Sequence, residues 1–186
     1  MRGGDKLTEL VDGQPLLRRQ AEAAMSTGAG VLVTLPPLPH PRATALDGLD
    51  VMQVEVPDAA EGMAASIRAG VAALPQGTSA VMILPSDMPE LDANDMATLL
   101  RAHAAAPRAI LRGASEDGTP GHPVMFPADL FPALLELSGD QGARPVLRTH
   151  SGRIDLVTLP LRHALTDLDT PEAWAEWRAE TGHRSG

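Results

Sequence analysis

Short apolar runs alternate along this chain with segments whose apolar residues recur at helical spacing. The apolar runs predict strands at residues 31–35, 51–56, 108–111 and 154–159, and another that starts at residue 80 and ends near Asp87. The helical spacing predicts helices at residues 15–26, 63–74, 93–103, 127–137, 143–148 and from 171 onward. Because strands and helices alternate, the pattern predicts an α/β fold with a mostly parallel sheet.

Proline and glycine mark the connections between these segments. Residues 36–41 are rich in proline and residues 114–123 carry three glycine or proline breaks, so both stretches are predicted to be loops. Thr170, followed by Pro171 and Glu172, is a strong start signal for the last helix. No repeat or low-complexity linker divides the sequence, and we expect a single domain over residues 1–186.

Composition narrows the function classes without choosing among them. With 44% hydrophobic and 21% charged residues, the 186-residue chain has the make-up of an ordinary soluble domain. Its formal charge of −9 argues against nucleic-acid or anionic-membrane partners, since it would be repelled by either. The lack of cysteine excludes disulfides, thiolate metal sites and cysteine nucleophiles. No apolar stretch is long enough to span a membrane and nothing resembles a signal peptide, so a cytoplasmic location is expected.

The first candidate for chemistry is Asp87, which follows the apolar run that starts at residue 80. A buried strand that ends in a carboxylate delivers this acid to the carboxyl edge of the sheet, where ligands of α/β proteins bind. Its burial is unfavourable unless a cation or a hydrogen-bond donor meets it. Metal ligation and capping of the next turn are equally compatible with this position.

A second acidic point lies far downstream, where Asp167 and Asp169 precede the last helix. If this segment is extended, the two side chains point the same way because they alternate. Taken alone, they are more simply interpreted as helix-start acids that the helix dipole favours. Together with Asp87, they could hold one divalent metal against the phosphates of a nucleotide, so a nucleotide-handling enzyme is the leading hypothesis.

Three further positions carry weaker signals. The glycine pair before Lys6 suits a polyphosphate, although a flexible tail has the same residue types. Gly62 and Ser66 open a predicted helix and could meet a base or ribose, or Gly62 could simply allow a tight entry to that helix. His122 lies in a constrained loop and could bind an anionic or pterin-like group. The remaining histidines lack the spacing of zinc ligands, and no serine-hydrolase elbow is present.

These segments, in this order, resemble the MobA-like nucleotidyltransferases, and most closely their molybdenum cofactor cytidylyltransferase branch. The resemblance runs over nearly the whole chain. Its motifs are Gly4-Asp5-Lys6-Leu7, Asp12-Gly13-Gln14-Pro15-Leu16-Leu17, Glu61-Gly62-Met63-Ala64-Ala65-Ser66, Ser86-Asp87-Met88-Pro89, Gly121-His122-Pro123-Val124, Gly139-Asp140-Gln141-Gly142-Ala143-Arg144 and Asp167-Leu168-Asp169-Thr170-Pro171-Glu172.

The resemblance implies a Rossmann-like three-layer sandwich of the nucleotide-diphospho-sugar transferase type. It implies transfer of CMP from CTP to the terminal phosphate of molybdopterin that carries molybdenum, with release of pyrophosphate. By position, Lys6 would neutralise the triphosphate. Asp87 and Asp169 would hold Mg²⁺, with Asp167 as the alternative ligand.

The resemblance also assigns the two sides of the reaction. Gly62 and Ser66 would lie along the nucleoside, and the loop with His122 would face the acceptor. A molybdoenzyme or its chaperone would receive the product. The alternatives are a guanylyltransferase, a transferase for another phosphorylated metabolite, and a truncated relative that binds without catalysis.

Two departures from the family pattern matter. Ser86 stands where glycine is usual, which should leave the carboxylate of Asp87 in place. Family members also open with a strand and a glycine-rich turn, Leu-Ala-Ala-Gly-x-Ser-x-Arg-Met, of which only the final methionine is matched, by Met1. We therefore expect this chain to lack the first, central strand. Since ~5 buried residues at ~1.5–3 kcal/mol each rival a total stability of ~5–15 kcal/mol, we expect low stability and weak transfer.

Overall fold

The computed structural model describes residues 5–184. The strands within this range are β1 (Leu10–Val11), β2 (Gln14–Pro15), β3 (Leu32–Leu35), β4 (Met52–Glu55), β5 (Ala80–Ile83), β6 (Ile110–Ala114), β7 (Pro120–Pro127) and β8 (Ile154–Thr158). The α-helices are α1 (Leu16–Met25), α2 (Pro41–Ala45), α3 (Met63–Ala72), α4 (Ala93–Ala105), α5 (Phe131–Leu135), α6 (Arg144–Thr149) and α7 (Pro171–Thr181). Short 3₁₀ turns span Lys6–Thr8, Ala59–Glu61, Ala128–Leu130 and Ser151–Arg153.

The largest sheet has four strands in the order β5-β7-β6-β8. Strand β7 runs antiparallel to β5 and β6, while β6 and β8 are parallel. Three of the four strands therefore point the same way, but the sheet is mixed in its pairings rather than mostly parallel. The α/β class predicted from the alternating pattern is confirmed.

Alternation along β7 and β6 divides the core into two halves. Val124 and Phe126 face a cluster with residues of α3, α5 and α6, whereas Met125 faces a cluster with Leu99 of α4. Neighbouring Ile110 and Leu111 of β6 divide between the same two clusters. Because side chains alternate with a period of two, one strand buries both of its faces and helices cover the sheet on both sides.

Strands β3 and β4 form a separate parallel pair. Leu17 and Ala21 of α1 pack on it with Leu35 and Leu46, and α3 contacts both this pair and the cluster on the four-stranded sheet. Among residues 5–184 no ladder joins the two sheets, so β3 and β5 are each paired on one side only. The expected lack of a central strand stays a prediction.

Most predicted elements are present with shifted ends, but four were missed: β1, β2, α2 and β7. Strands β1 and β2 form a hairpin whose turn residues, Asp12 and Gly13, have φ of 52° and 81°. Helix α2 begins inside the predicted proline-rich loop, with Pro41 in its first turn. Strand β7 was the largest omission, because its glycine and three prolines signal a loop.

Strand β7 tolerates these residues because it carries a bulge. Arg112 pairs with Val124 and Ala114 pairs with Pro120, so three residues on β7 oppose one on β6. Within the bulge the amide of His122 donates to the carbonyl of Ala164 at 2.9 Å. The bulge takes His122 out of the regular ladder with β6.

We expect Gly121→Ala to destabilise the fold by about 3 kcal/mol or more, because its Cβ would overlap the carbonyl of Ala164 and lie 2.9 Å from Leu165. Urea unfolding at neutral pH measures this loss. Gly30→Ala is the matched control, since its Cβ meets no atom within 4 Å. Equal stability of both variants would contradict the close approach.

None of the helices in residues 5–184 combines the length and apolar character that a membrane span requires.

Candidate active site

Three carboxylates from distant parts of the chain surround the ammonium group of Lys6. Lys6 Nζ lies 2.6 Å from Asp87 Oδ2 and 3.8 Å from Asp167 Oδ1, and it also binds Asp169. One oxygen from each aspartate lies within 4.8 Å of the others. The structure thus brings together four of the predicted site residues, which we call the acid cluster: Lys6, Asp87, Asp167 and Asp169. Gly3 and Gly4, the glycine pair predicted to bind a polyphosphate together with Lys6, lie outside the described residues.

The turn that carries Asp87 is held from α1. It follows β5, and the buried amide of Gln20 in α1 donates to the carbonyls of Met88 and Leu91 at 3.0 and 3.1 Å. Met88 itself is only 2% exposed. Asp87 is therefore presented on a backbone that is fixed independently of its carboxylate.

The loop that carries Asp167 and Asp169 is anchored through the residue between them. Leu168 is buried against Trp174, whose indole donates to the Leu168 carbonyl at 3.2 Å. The amide of Leu168 donates to the carbonyl of Asp87. Leu168 is buried, whereas Asp167 and Asp169 on either side of it are exposed and contact Lys6. Thr170 then caps α7 by accepting from the amide of Ala173.

A second anchor for this loop is Glu90. Its carboxylate accepts hydrogen bonds from the hydroxyl of Thr166 at 2.7 Å and from the indole of Trp177 at 3.2 Å. Since Glu90 follows the Asp87 turn in the chain, it ties the two acidic segments to each other.

The crowding of charges shifts the pKa values of Lys6 and Asp167. Burial alone lowers the pKa of Lys6, but hydrogen bonds to Asp169 and Asp87 outweigh it and raise the pKa to about 12. Burial and the neighbouring charges of Asp87 and Asp169 raise the pKa of Asp167. An additional positive charge would relieve this repulsion, and the donor set of three carboxylate oxygens suits a hard divalent cation such as Mg²⁺ or Mn²⁺.

A cavity of about 400 Å³ opens at the N-terminus of α3, and we call it the α3 cavity. Gly62 and Ser66 line it, as predicted for one side of a ligand site. The other lining residues are Thr34, Leu35, Pro36, Arg42, Ala59, Met63 and Asp140.

Glycine is required at the entrance to α3. Gly62 has φ of 117°, and a Cβ there would lie 2.9–3.0 Å from Asp140. The close approach lets Asp140 accept a hydrogen bond from the amide of Met63, which caps the helix. The tight-entry role of Gly62 is therefore visible in the structure, and the backbone it shapes forms part of the cavity wall.

His122 lies beside a pair of arginines rather than within the acid cluster. Arg112 donates to the carbonyls of Gly121 and Pro120 at 2.9 and 3.3 Å, which stabilises the bulge. Burial lowers the pKa of Arg112, and the charge of Arg144 lowers it further. Because Arg112 and Arg144 repel each other, an anion close to both would be favoured.

One known protein family matches most of this chain. The family model for the MobA-like NTP transferase domain matches residues 1–154. The chain belongs to the MobA-like NTP transferase family. Among curated proteins no sequence matches it.

Several solved structures share the fold of this MobA-like chain. Rv0371c from Mycobacterium tuberculosis H37Rv is 23% identical with a TM-score of 0.76, over 94% of this chain and 89% of that one. Rv0371c has also been solved in complex with manganese. A nucleotidyl transferase from a Methanothermobacter species is 22% identical with a TM-score of 0.76, over 94% and 84%.

A more distant match is CMP:2-keto-3-deoxy-manno-octonic acid synthetase in complex with CTP. It is 12% identical with a TM-score of 0.74, over 95% of this chain and 91% of that one. At such identities the likeness shows the fold alone, and it confirms the predicted three-layer fold of the nucleotide-diphospho-sugar transferase type.

His122 gives the MobA-like domain a testable pH dependence. Burial, followed by the charge of Arg112, lowers its pKa below 6.5, although Asp87 acts in the opposite direction. When the pKa of a histidine is lower in the folded protein, its contribution to stability is fully present above the pKa of the unfolded state. This contribution is lost as the pH falls through the pKa of the folded state. We therefore expect unfolding free energy of the wild type to fall between about pH 7 and about pH 5 more steeply than that of His122→Gln. Urea titrations of both proteins check this, and parallel curves would contradict it.

A larger open cleft of about 790 Å³ lies between α7, the loop after β6 and the loop after β8. Glu90, His163 and Trp177 are among its lining residues, but none of the acid-cluster residues is. The larger cleft and the acid cluster are therefore separate features of the described residues.

Sequence reasoning missed the residues that hold the site together. Gln20 was missed although it is the polar residue on the buried stripe of α1, which is a usable signal. Glu90 and Arg42 carry no local signal, because their partners lie 87 and 37 positions away in the chain. Arg112 was missed because it binds the bulge of β7, a strand that the sequence did not predict.

Proposed function

We propose that this MobA-like protein transfers CMP from CTP to the terminal phosphate of a molybdopterin-type acceptor carrying molybdenum, with release of pyrophosphate. The observation that carries the proposal is the acid cluster, with three carboxylates and an ammonium group at one edge of the fold. The α3 cavity and the arginine pair beside His122 supply room for a nucleoside and charge for an acceptor phosphate.

In this mechanism an oxygen of the acceptor phosphate attacks the α-phosphorus of CTP, and the bond to the β-phosphate oxygen breaks. Pyrophosphate leaves, and no covalent intermediate with the protein is required. Asp87 and Asp169, with Asp167 nearby, would hold Mg²⁺, which when bound neutralises phosphate charge. Lys6 neutralises the triphosphate, so the work of the protein is positioning and charge compensation.

The two substrates approach from different sides in this proposal. Gly62 and Ser66 line the α3 cavity and would lie along the nucleoside. His122, whose Nδ1 is buried and finds no hydrogen-bond partner among residues 5–184, faces the acceptor together with Arg112 and Arg144. An orphaned buried nitrogen gains from a ligand that supplies the missing hydrogen bond.

Two structural neighbours support the proposed nucleotide and the proposed metal ion. One carries CTP and another carries manganese, which are properties of those proteins. We extend them here to CTP and Mg²⁺ as proposals, together with a cytoplasmic location, a single domain, and a molybdoenzyme or its chaperone as recipient of the product.

Calorimetric titration of CTP and GTP, with and without Mg²⁺, is the first test, followed by pyrophosphate release with a molybdopterin acceptor. We expect Mg²⁺-dependent binding with preference for CTP. Preference for GTP would make the protein a guanylyltransferase, and release only with another phosphorylated metabolite would change the acceptor. Binding of neither nucleotide would identify a non-catalytic relative.

A further inference from the structure

We propose that Arg42 is a positioning residue that couples the α3 cavity to Lys6 through Asp5. The inference rests on the proposed function in one respect, since it treats the α3 cavity as the nucleoside site and Lys6 as the triphosphate-binding group. The contact between Arg42 and Asp5 is a direct observation of the fold.

Arg42 grips Asp5 with two hydrogen bonds. Its Nε donates to Asp5 Oδ2 at 2.7 Å and its Nη2 donates to Asp5 Oδ1 at 3.0 Å. The side chains are only 29% and 22% exposed. Such a forked, partly desolvated pair fixes orientation as well as distance, which a lysine could not do equally well.

Asp5 in turn shapes the turn that carries Lys6. Its Oδ1 accepts from the amide of Leu7 at 3.1 Å, and its carbonyl accepts from the amide and hydroxyl of Thr8 at 3.0 and 2.9 Å. Asp5 is thereby the N-cap of the 3₁₀ turn Lys6–Thr8. The direction in which Lys6 leaves the backbone depends on this cap.

The same residue forms part of the cavity wall. Arg42 lines the α3 cavity beside Pro36 and Ser66, and its backbone is set by His40, whose Nδ1 accepts from the Arg42 amide at 3.2 Å. Neighbouring residues 5 and 6 therefore connect the cavity with the acid cluster. Asp5 binds Arg42 of the cavity wall, and Lys6 binds the aspartates of the acid cluster. A nucleoside that contacts Arg42 would be linked to the position of the Lys6 ammonium.

Lys6 is the one lysine in the sequence, so acylation of lysine reports on a single side chain. We expect acetic anhydride at neutral pH, without nucleotide, to label Lys6 several-fold faster in Arg42→Gln than in the wild type, with Arg42→Lys between them. Peptide mass mapping separates Lys6 from the terminal amine. Arg153→Gln is the matched control, because Arg153 grips Asp129 with two hydrogen bonds of 2.8 and 3.1 Å away from the site.

Unchanged labelling of Lys6 in folded Arg42→Gln would overturn the coupling. If that variant does not fold, Asp5→Asn provides the same test, since it keeps an oxygen for the cap and loses the charge. Acylation of Lys6 is measured without nucleotide. It therefore tests the coupling even if neither CTP nor GTP binds and the proposed function is wrong.

A double-mutant cycle tests the same link during turnover. We expect Arg42→Gln to raise the KM for CTP by about 10-fold, comparable with the loss of one charge-assisted hydrogen bond. In a Lys6→Met background the same change should raise the KM by a smaller factor, because only a direct contact of Arg42 with the nucleoside is then left to lose. Fully additive effects would overturn the coupling.

Discussion

Asp87→Ala is expected to lower turnover by about 10²-fold or more, a loss of about 2.7 kcal/mol of transition-state stabilisation. The backbone of the Asp87 turn is held by Gln20 and by the amide of Leu168, neither of which uses the Asp87 carboxylate. The variant should therefore keep its fold and lose only charge at the acid cluster. Pyrophosphate release at limiting Mg²⁺ is the measurement.

Companion substitutions separate the three acids. Asp169→Ala should have an effect similar to that of Asp87→Ala, while Asp167→Ala should have a smaller one, because Asp167 lies farther from the ammonium at 3.8 Å. Asp155→Ala, at an exposed position of β8, is the control that should leave turnover unchanged. Near-normal turnover of Asp87→Ala would remove this residue from the mechanism.

The fold was predictable where burial imposes a period on the sequence. Helix α7 followed from Thr170 and from Trp174 and Trp177 on one buried face, and the strands with apolar runs followed in the same way. Strand β7 was not predictable, because its local residues favour a loop and only a bulge between two partner strands makes them acceptable. Tertiary pairing overrode the local signal.

The site divides along the same line. Asp87 stood out as a carboxylate after an apolar run, and the alternation of Asp167 and Asp169 indicated a common direction. That these acids share one metal was a hypothesis from residue types and from the family resemblance. Their contact with Lys6 was not predicted, because no local pattern links residues about 80 positions apart. The supports of the site, Gln20 and Glu90, contact partners that are remote in sequence and could be found only in three dimensions.

Lys6→Met is expected to have two effects of opposite sign: tighter binding of Mn²⁺ or Mg²⁺ and slower transfer. Lys6 Nζ lies among the oxygens that a divalent cation would use, so ammonium and metal compete for the same carboxylates. Because its pKa is raised to about 12, Lys6 stays charged well above neutral pH and competes throughout that range.

Removing the competing charge should strengthen metal binding roughly 10-fold, the scale of an ion-pair network worth about 1 kcal/mol or slightly more. Turnover should nevertheless fall by about 10²-fold, because the triphosphate loses its ammonium partner. Calorimetric titration with Mn²⁺ in the absence of nucleotide measures the first effect, and pyrophosphate release measures the second. Arg153→Met is the control for loss of a cation elsewhere on the surface. Metal binding that is unchanged or weaker in Lys6→Met would mean that Lys6 does not occupy the cation position, whereas tighter binding with slower transfer would separate its role as competitor for the metal from its role towards the triphosphate.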